Sequence, residues 1–508
     1  MLLSQKTRAI VALACVLSTA CSKTLDLSLT VVPACDQQDA LDGARFLTVR
    51  AEGAALDTPR EQTFDFQQGS GSLQMVPPTE DAKVSVLSTK GAEGSPADVA
   101  GGFGPIDLSG KSGEGPKSVR VVVGRVGTFI STSEGPKPSV CSQLNKGRQG
   151  QSATLMPNGD VFIAGGEQIV NGERLLLRNT EVYNAQTGAF TATADLPEGR
   201  AYHTATLLKN GKVLVCGGLG VLGGRAVSLA TCLLFDSQTR RFVEPTLALN
   251  AGRQQHTATL LDDQRVVIAG GVGTGADFLL STEVYDPDVE GLEKLQPGPN
   301  MVTARAQHTA TLLNDGATVV IAGGRDRDTV KADVEAWTIA MSRRIGVYVP
   351  RYAHAAAKAP DGRVVFAGGF NSIVDNGNPA TVATVEIFDP AGGGSVSCGD
   401  TLQLDTPRGS LFGEALPISS DGVSRVVVGG GTLIDGSATH LAELITLPKA
   451  KNCTGVTITA TAAPMKLLRT RASSLVLPGG DVLIVGGSQS IGALTVPAIT
   501  GEIFISPR

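Results

Sequence analysis

One phrase recurs seven times in the last two-thirds of this chain of 508 residues. An arginine opens it, a short β-like run follows, then a tight turn, then an apolar run closed by two glycines. The glycine pairs are Gly165-Gly166, Gly217-Gly218, Gly270-Gly271, Gly323-Gly324, Gly368-Gly369, Gly429-Gly430 and Gly486-Gly487. The opening arginines are Arg148, Arg200, Arg253, Arg305, Arg351, Arg408 and Arg471. A period of roughly fifty residues means an array of similar supersecondary units, each too small to bury a core alone.

The unit opened by Arg200 shows the pattern. Tyr202 to Leu208 reads as a strand, Asn210-Gly211 as a hairpin turn, and Val213 to Cys216 as a second strand closed by the glycines. The Asn-Gly pair supplies the two positive-φ positions of a type I′ turn. Cys232 to Asp236 reads as a third strand and Arg241 to Val243 as a fourth. Four antiparallel strands joined by short loops make one propeller blade. The fold class is therefore all-β, a seven-bladed propeller over residues 138–508.

The glycine pair after the second strand and the third-strand aromatics Tyr183, Phe235, Tyr285, Trp337, Phe388 and Phe504 resemble the kelch repeat. The phrase running from Arg200 through His203, from Arg253 through His256 and from Arg305 through His308 resembles secreted bacterial kelch proteins, including the central domain of galactose oxidase. The fourth-strand tryptophan of that family is absent, which marks a divergent branch. The last unit ends after its third strand, and a propeller has to close to protect its edges. The missing strand is expected just before the first unit, around Ser139 to Ser142.

Residues 1–20 read as an export signal: Lys6 and Arg8 precede an apolar run from Ala9 to Leu17 that is too short to span a bilayer. Leu17-Ser18-Thr19-Ala20-Cys21 resembles a bacterial lipobox, which implies a lipid on Cys21. Ser18 stands where that motif usually has leucine, and Ser22 favours the outer membrane by analogy with enteric sorting. Residues 24–133 carry short alternating runs separated by turns and read as a small β-sandwich.

Six cysteines remain outside that segment and Cys21. An even number in an exported chain favours disulfides. Cys216 and Cys232 fall on neighbouring strands of one blade, and Cys398 and Cys453 near equivalent turns of adjacent blades, which leaves Cys35 for Cys141. No close Cys/His spacing suggests a metal. The net charge of −5 becomes more negative once the signal is removed, and this argues against nucleic acid.

Strand order places tight turns on one face and long second-to-third loops on the other, from Glu167–Asn179 in the first unit to Ser488–Thr500 in the last. Long loops on a rigid scaffold are the natural binding face. The seven arginines begin strand one at that face, and Glu181, Glu283, Glu335, Glu386, Glu443 and Glu502 begin strand three there. The expectation is that each arginine reaches over the glycines to the glutamate of its own blade, with Arg200 excepted because Leu233 replaces the glutamate. His203, His256, His308 and His354 share one repeat position, filled by Gln151 in the first unit, and are expected to make repeat-specific hydrogen bonds rather than bind metal.

No nucleophile motif, zinc motif or phosphate loop occurs, and the tyrosines and cysteines do not offer a copper centre. The reading is a non-enzymatic kelch-repeat lipoprotein of the outer membrane or cell surface, without cofactor. It engages a protein or an envelope glycan through its long loops. Two alternatives stay open: a carbohydrate-active oxidase, lyase or epimerase with a divergent pocket, and a structural envelope component. A periplasmic or secreted location is the alternative to the lipid anchor.

Overall fold

A computed structural model describes residues 9–12, 27–37, 39–53, 60–65, 82–91, 97–106, 117–132, 141–170, 172–373, 378–392, 402–419, 421–449, 455–491 and 494–507. Cys21, Cys398 and Cys453 lie outside these residues, as does most of 1–20.

Six four-stranded antiparallel sheets and one three-stranded sheet follow one another along the repeat region. The second sheet is typical, with Thr204–Leu207, Lys212–Cys216, Thr231–Asp236 and Arg241–Ala248 paired in order. The second strands, such as Val161–Ala164 and Val319–Ala322, are apolar and buried along their whole length. Side chains alternate across a strand, so such a segment needs apolar cover on both faces. The cover comes from the neighbouring sheets. Phe162 and Ala164 pack with Val213, Val215 and Phe235 of the second sheet. Val161 and Ile163 pack with Leu483, Val485 and Ile503 of the seventh. A core of this kind joins every pair of consecutive sheets, and the first-strand segments Ser473–Val476 and Ser152–Leu155 are also neighbours. The succession of small antiparallel sheets fits a β-propeller.

The strand that completes the seventh sheet is Phe129–Ser131, paired antiparallel with Gly501–Phe504. It lies upstream of the expected Ser139 to Ser142, inside the segment assigned to the N-terminal unit. Phe129 and Ile130 are fully buried apolar residues that meet Phe504 and Ile503 in register, a match that Cys141 and Ser142 do not offer. Gln143 makes only an isolated bridge to Thr500.

The N-terminal unit is one seven-stranded sheet in which Leu27–Pro33 pairs parallel to Lys117–Arg125. Ala9–Ala12, within the expected export signal, pairs at its edge. Val31, Val121 and Val123 share a core with Val49, Val84 and Val86 from the other half of the sheet. Cys35–Cys141 and Cys216–Cys232 are disulfides, the second expected from its place on neighbouring strands and the first as the remaining pair. Among the described residues no helix is long and apolar enough to cross a membrane.

Candidate functional site

The repeat arginines are buried, not free in the axial channel. Arg148 pairs with Glu181, Arg253 with Glu283 at 2.7 Å, Arg305 with Glu335 at 2.5 Å, Arg351 with Glu386 at 2.5 Å and Arg408 with Glu443 at 2.6 Å. In the seventh sheet the paired residue is Arg469, which meets Glu502 at 2.5 Å. Arg471 does not occupy this position; it is exposed, two residues further on. Arg200 instead meets Glu198 at 3.1 Å and the hydroxyl of Thr231 at 2.9 Å, consistent with Leu233 standing where the other sheets have glutamate.

The glycines do more than leave space. Arg253 Nη1 donates to the Gly270 carbonyl at 2.9 Å, and the first glycine accepts the same bond from Arg148, Arg200, Arg305, Arg351 and Arg469. The second glycine donates its N–H to the carbonyl of the next sheet's arginine, as Gly218 does to Arg253 at 2.8 Å. Gly487 donates to Arg148 at 2.8 Å, so the last sheet is bonded to the first. A Cβ on Gly217 would lie 2.4 Å from the Arg253 oxygen, and its φ is +63°. In the sixth sheet the joint to the next sheet belongs to Gly430 and Gly431, not to Gly429-Gly430: Gly431 donates to the Arg469 carbonyl at 2.8 Å, Gly430 and Gly431 have φ of +62° and +113°, and Gly429 ends the strand Ser424–Gly429, while Arg408 Nη1 donates to the Thr406 carbonyl at 2.9 Å. The glutamates hold the incoming chain as well, since Glu283 accepts the Asn250 N–H at 2.7 Å and Glu502 that of Lys466 at 2.6 Å. Apart from Arg408–Glu443, whose Nη2 and Oε2 make the ion pair without a hydrogen bond, these pairs are thus hydrogen-bonded on several sides, the condition for holding charge away from water.

The histidines strap neighbouring sheets together. Nε2 of His203 meets Ser152 Oγ at 2.8 Å, and His256, His308 and His354 meet Thr204, Thr257 and Thr309 at 3.0, 3.0 and 2.9 Å. Gln151 closes the series on Ser473 at 3.2 Å. Burial, with the nearby arginine adding to it, holds the His203 and His308 imidazoles down to about 3, so they are neutral at physiological pH.

Two residues beyond each buried arginine lies a position the sequence reading did not single out. It holds Gly150, Tyr202, Gln255, Gln307, Ala353, Ser410 and Arg471, all in the left-handed backbone region, with φ between 48° and 64°. Tyr202 N–H donates to the Gly150 carbonyl at 2.7 Å, Gln255 to Tyr202 at 3.0 Å, Gln307 to Gln255 at 3.1 Å, Ala353 to Gln307 at 3.0 Å, Ser410 to Ala353 at 2.8 Å and Arg471 to Ser410 at 3.2 Å. Left-handed conformations cost about 1–2 kcal/mol at each non-glycine residue, and this head-to-tail chain offsets the cost. The signal for it was present in the fixed offset from the arginine, but the unlike side chains hid it.

These residues line an open cavity of about 500 Å³ at the axis on the long-loop side, together with Arg174, Leu219, Gln254 and the histidines. The Tyr202 ring lies over Gly150, where a Cβ would fall 2.8 Å from the ring. Its hydroxyl donates to buried Glu167 at 2.6 Å, and Arg174 pairs with the same carboxylate at 2.9 Å. A larger opening of about 700 Å³ separates the N-terminal sheet from turns of the sixth and seventh sheets around Ile418 and Gly479. It is a seam between units, whereas the axial cavity gathers side chains from every repeat.

The loops around the mouth are not uniform. Glu167–Val170 with Glu173–Leu176, Leu219–Leu222 with Arg225–Ser228, and Ser488–Ile491 with Leu494–Pro497 form three two-stranded hairpins, on the first, second and seventh sheets. Val170, Leu175, Val221, Leu222 and Val496 on these hairpins are 40–58% exposed. No group of three or more metal-ligating side chains is found among the described residues.

No family model matches the sequence, and no curated protein matches it. Among solved structures the chain is similar to that of YjhT, at 14% identity and a TM-score of 0.47, over 62% of this chain and 99% of that one.

Proposed function

We propose that this is an exported, lipid-anchored, non-catalytic binding protein whose three adjoining hairpins dock a protein partner. The observation that carries the reading is the set of exposed apolar side chains on those hairpins. Large aliphatic residues grouped on one projecting surface mark an interaction site more often than chance exposure does. Val221 alternates with Leu219, which lines the axial cavity, so Val221 faces the mouth while Leu222 faces away. A partner seated here is in contact with both the hairpins and the cavity rim.

In this reading the seven sheets are the blades of a closed kelch-type propeller, supported by the Gly487–Arg148 bond and by the core shared between the first and seventh sheets. The N-terminal unit acts as a folded-over sandwich that spaces the propeller from a lipid on Cys21. The two disulfides support an oxidising compartment. The experiment is photo-crosslinking from position 222 in intact cells, beside the same probe in a Val221→Glu background and a palmitate-labelling comparison with Cys21→Ala. A crosslinked partner lost in the Val221→Glu protein, with label lost in Cys21→Ala, is expected. An unchanged crosslink pattern overturns the docking surface, and retained label overturns the anchor.

A further inference from the structure

We infer that the axial cavity binds a small polyhydroxylated carboxylate, gripped by Arg471. The charges lining the cavity are Arg174 and Arg471, with no aspartate or glutamate among the lining residues. Arg174 is compensated from beneath by Glu167. Arg471 makes no ion pair or side-chain hydrogen bond among the described residues. The histidines at the wall are held neutral by burial, so the cavity presents one uncompensated cation in a chain whose overall charge is −5.

An exposed arginine alone is ordinary. Arg471 differs in that its backbone is held, with φ of +54° and its N–H bonded to Ser410, at the cavity it lines together with Tyr202. The guanidinium fork matches the two oxygens of a carboxylate. Around it the same backbone ring supplies Gln255 and Ser410, whose side chains also make no hydrogen bond among the described residues, and Gln307, whose amide oxygen is held by Arg325 at 3.0 Å. Amides and hydroxyls of this kind suit hydroxyl groups, and the Tyr202 ring offers a flat wall. A cavity of about 500 Å³ is far larger than an inorganic anion and is of the size that encloses a small organic molecule.

The inference does not depend on the hairpins docking a protein; the two fail separately, one through Val221 and the other through Arg471. The test is calorimetric titration of the full chain with glucuronate, with glucose as its uncharged counterpart. Arg471→Gly is the main variant, because glycine accepts the backbone conformation and already holds this position at Gly150. Arg471→Lys keeps the charge without the fork, and Arg327→Gln on a long loop is the control.

Glucuronate is expected to bind, with affinity falling as salt rises. Arg471→Gly is expected to weaken it at least tenfold, Arg471→Lys to a smaller extent, and Arg327→Gln not at all. Glucose is expected to bind at least tenfold more weakly. Absence of glucuronate binding at millimolar concentration overturns the inference. So does equal affinity in the wild-type and Arg471→Gly proteins, provided both unfold at the same temperature.

Discussion

The backbone N–H of Gly487 meets the carbonyl of Arg148 at 2.8 Å and bonds the last repeat to the first. The same contact joins each earlier repeat to the next. A glycine pair that looks like a sequence signature is therefore a joint between neighbouring sheets, and its requirement is steric as well as conformational.

Gly217→Ala and Gly223→Ala separate these two requirements. Both glycines have positive φ, at +63° and +57°, but only Gly217 has a neighbouring carbonyl 2.4 Å from a new Cβ, while Gly223 has open space. Gly223→Ala should cost about 1–2 kcal/mol for the left-handed backbone alone. Gly217→Ala should add about 1–3 kcal/mol of overpacking to that. Urea unfolding of the two variants checks the difference, and equal losses contradict the joint.

Breaking the buried tie has a graded outcome. Arg253→Met leaves Glu283 buried without its cation and should cost about 3–5 kcal/mol. Arg253→Met combined with Glu283→Met should recover part of that loss. Glu198→Gln, which removes the charge of the partly exposed partner of buried Arg200 but keeps an acceptor oxygen, should cost less than Arg253→Met. A double-mutant cycle read by chemical denaturation measures the coupling.

Acid should destabilise the fold through the histidine straps. The folded His203 and His308 titrate near 3, below the ordinary value of 6.5, so the unfolded chain binds more protons between those values. Their contribution is complete above pH 6.5 and is lost as pH falls toward 3. Thermal unfolding from pH 7 to pH 4 should show a steep decline, shallower in His203→Gln with His308→Gln, since Gln151 already serves this position in the first repeat. An unchanged slope in the double variant counts against the assignment.

Glu414 acts with the opposite sign. It lies on the strand Phe412–Leu416, accepts a hydrogen bond from Ser474 at 2.7 Å, and is pushed up to about 7 by burial. The folded state then holds the extra proton, and stability is lost as pH rises from 4.5 through 7. Glu414→Gln should raise the melting temperature at pH 8 and leave it nearly unchanged at pH 4.5. A variant that melts earlier at pH 8 contradicts this.

The repeat, its antiparallel sheets and the arginine–glutamate tie were legible because each is local to one unit and recurs in phase. The exception at Arg200 was legible for the same reason, as one glutamate was missing from an otherwise regular column. Register failed where neighbours were alike. Arg469 and Arg471 are both arginines ahead of the same strand, and only the folded chain distinguishes them, by burying Arg469 against Glu502 and the Gly486 carbonyl and leaving Arg471 exposed. Three consecutive glycines at 429–431 led to the sixth pair being read as Gly429-Gly430, one residue early, because only the Arg469 carbonyl selects Gly431.

By itself the sequence determined that the chain folds into repeated four-stranded units, since alternation, turn residues and glycine pairs act over a few residues. Only the tertiary structure decided that Phe129–Ser131 completes the last sheet, because that choice depends on apolar faces meeting across nearly the whole repeat region. It also decided that seven residues of six kinds share one left-handed position around the axis. Their likeness lies in backbone conformation and, from Tyr202 to Arg471, in bonds to the preceding repeat, neither of which any single side chain records.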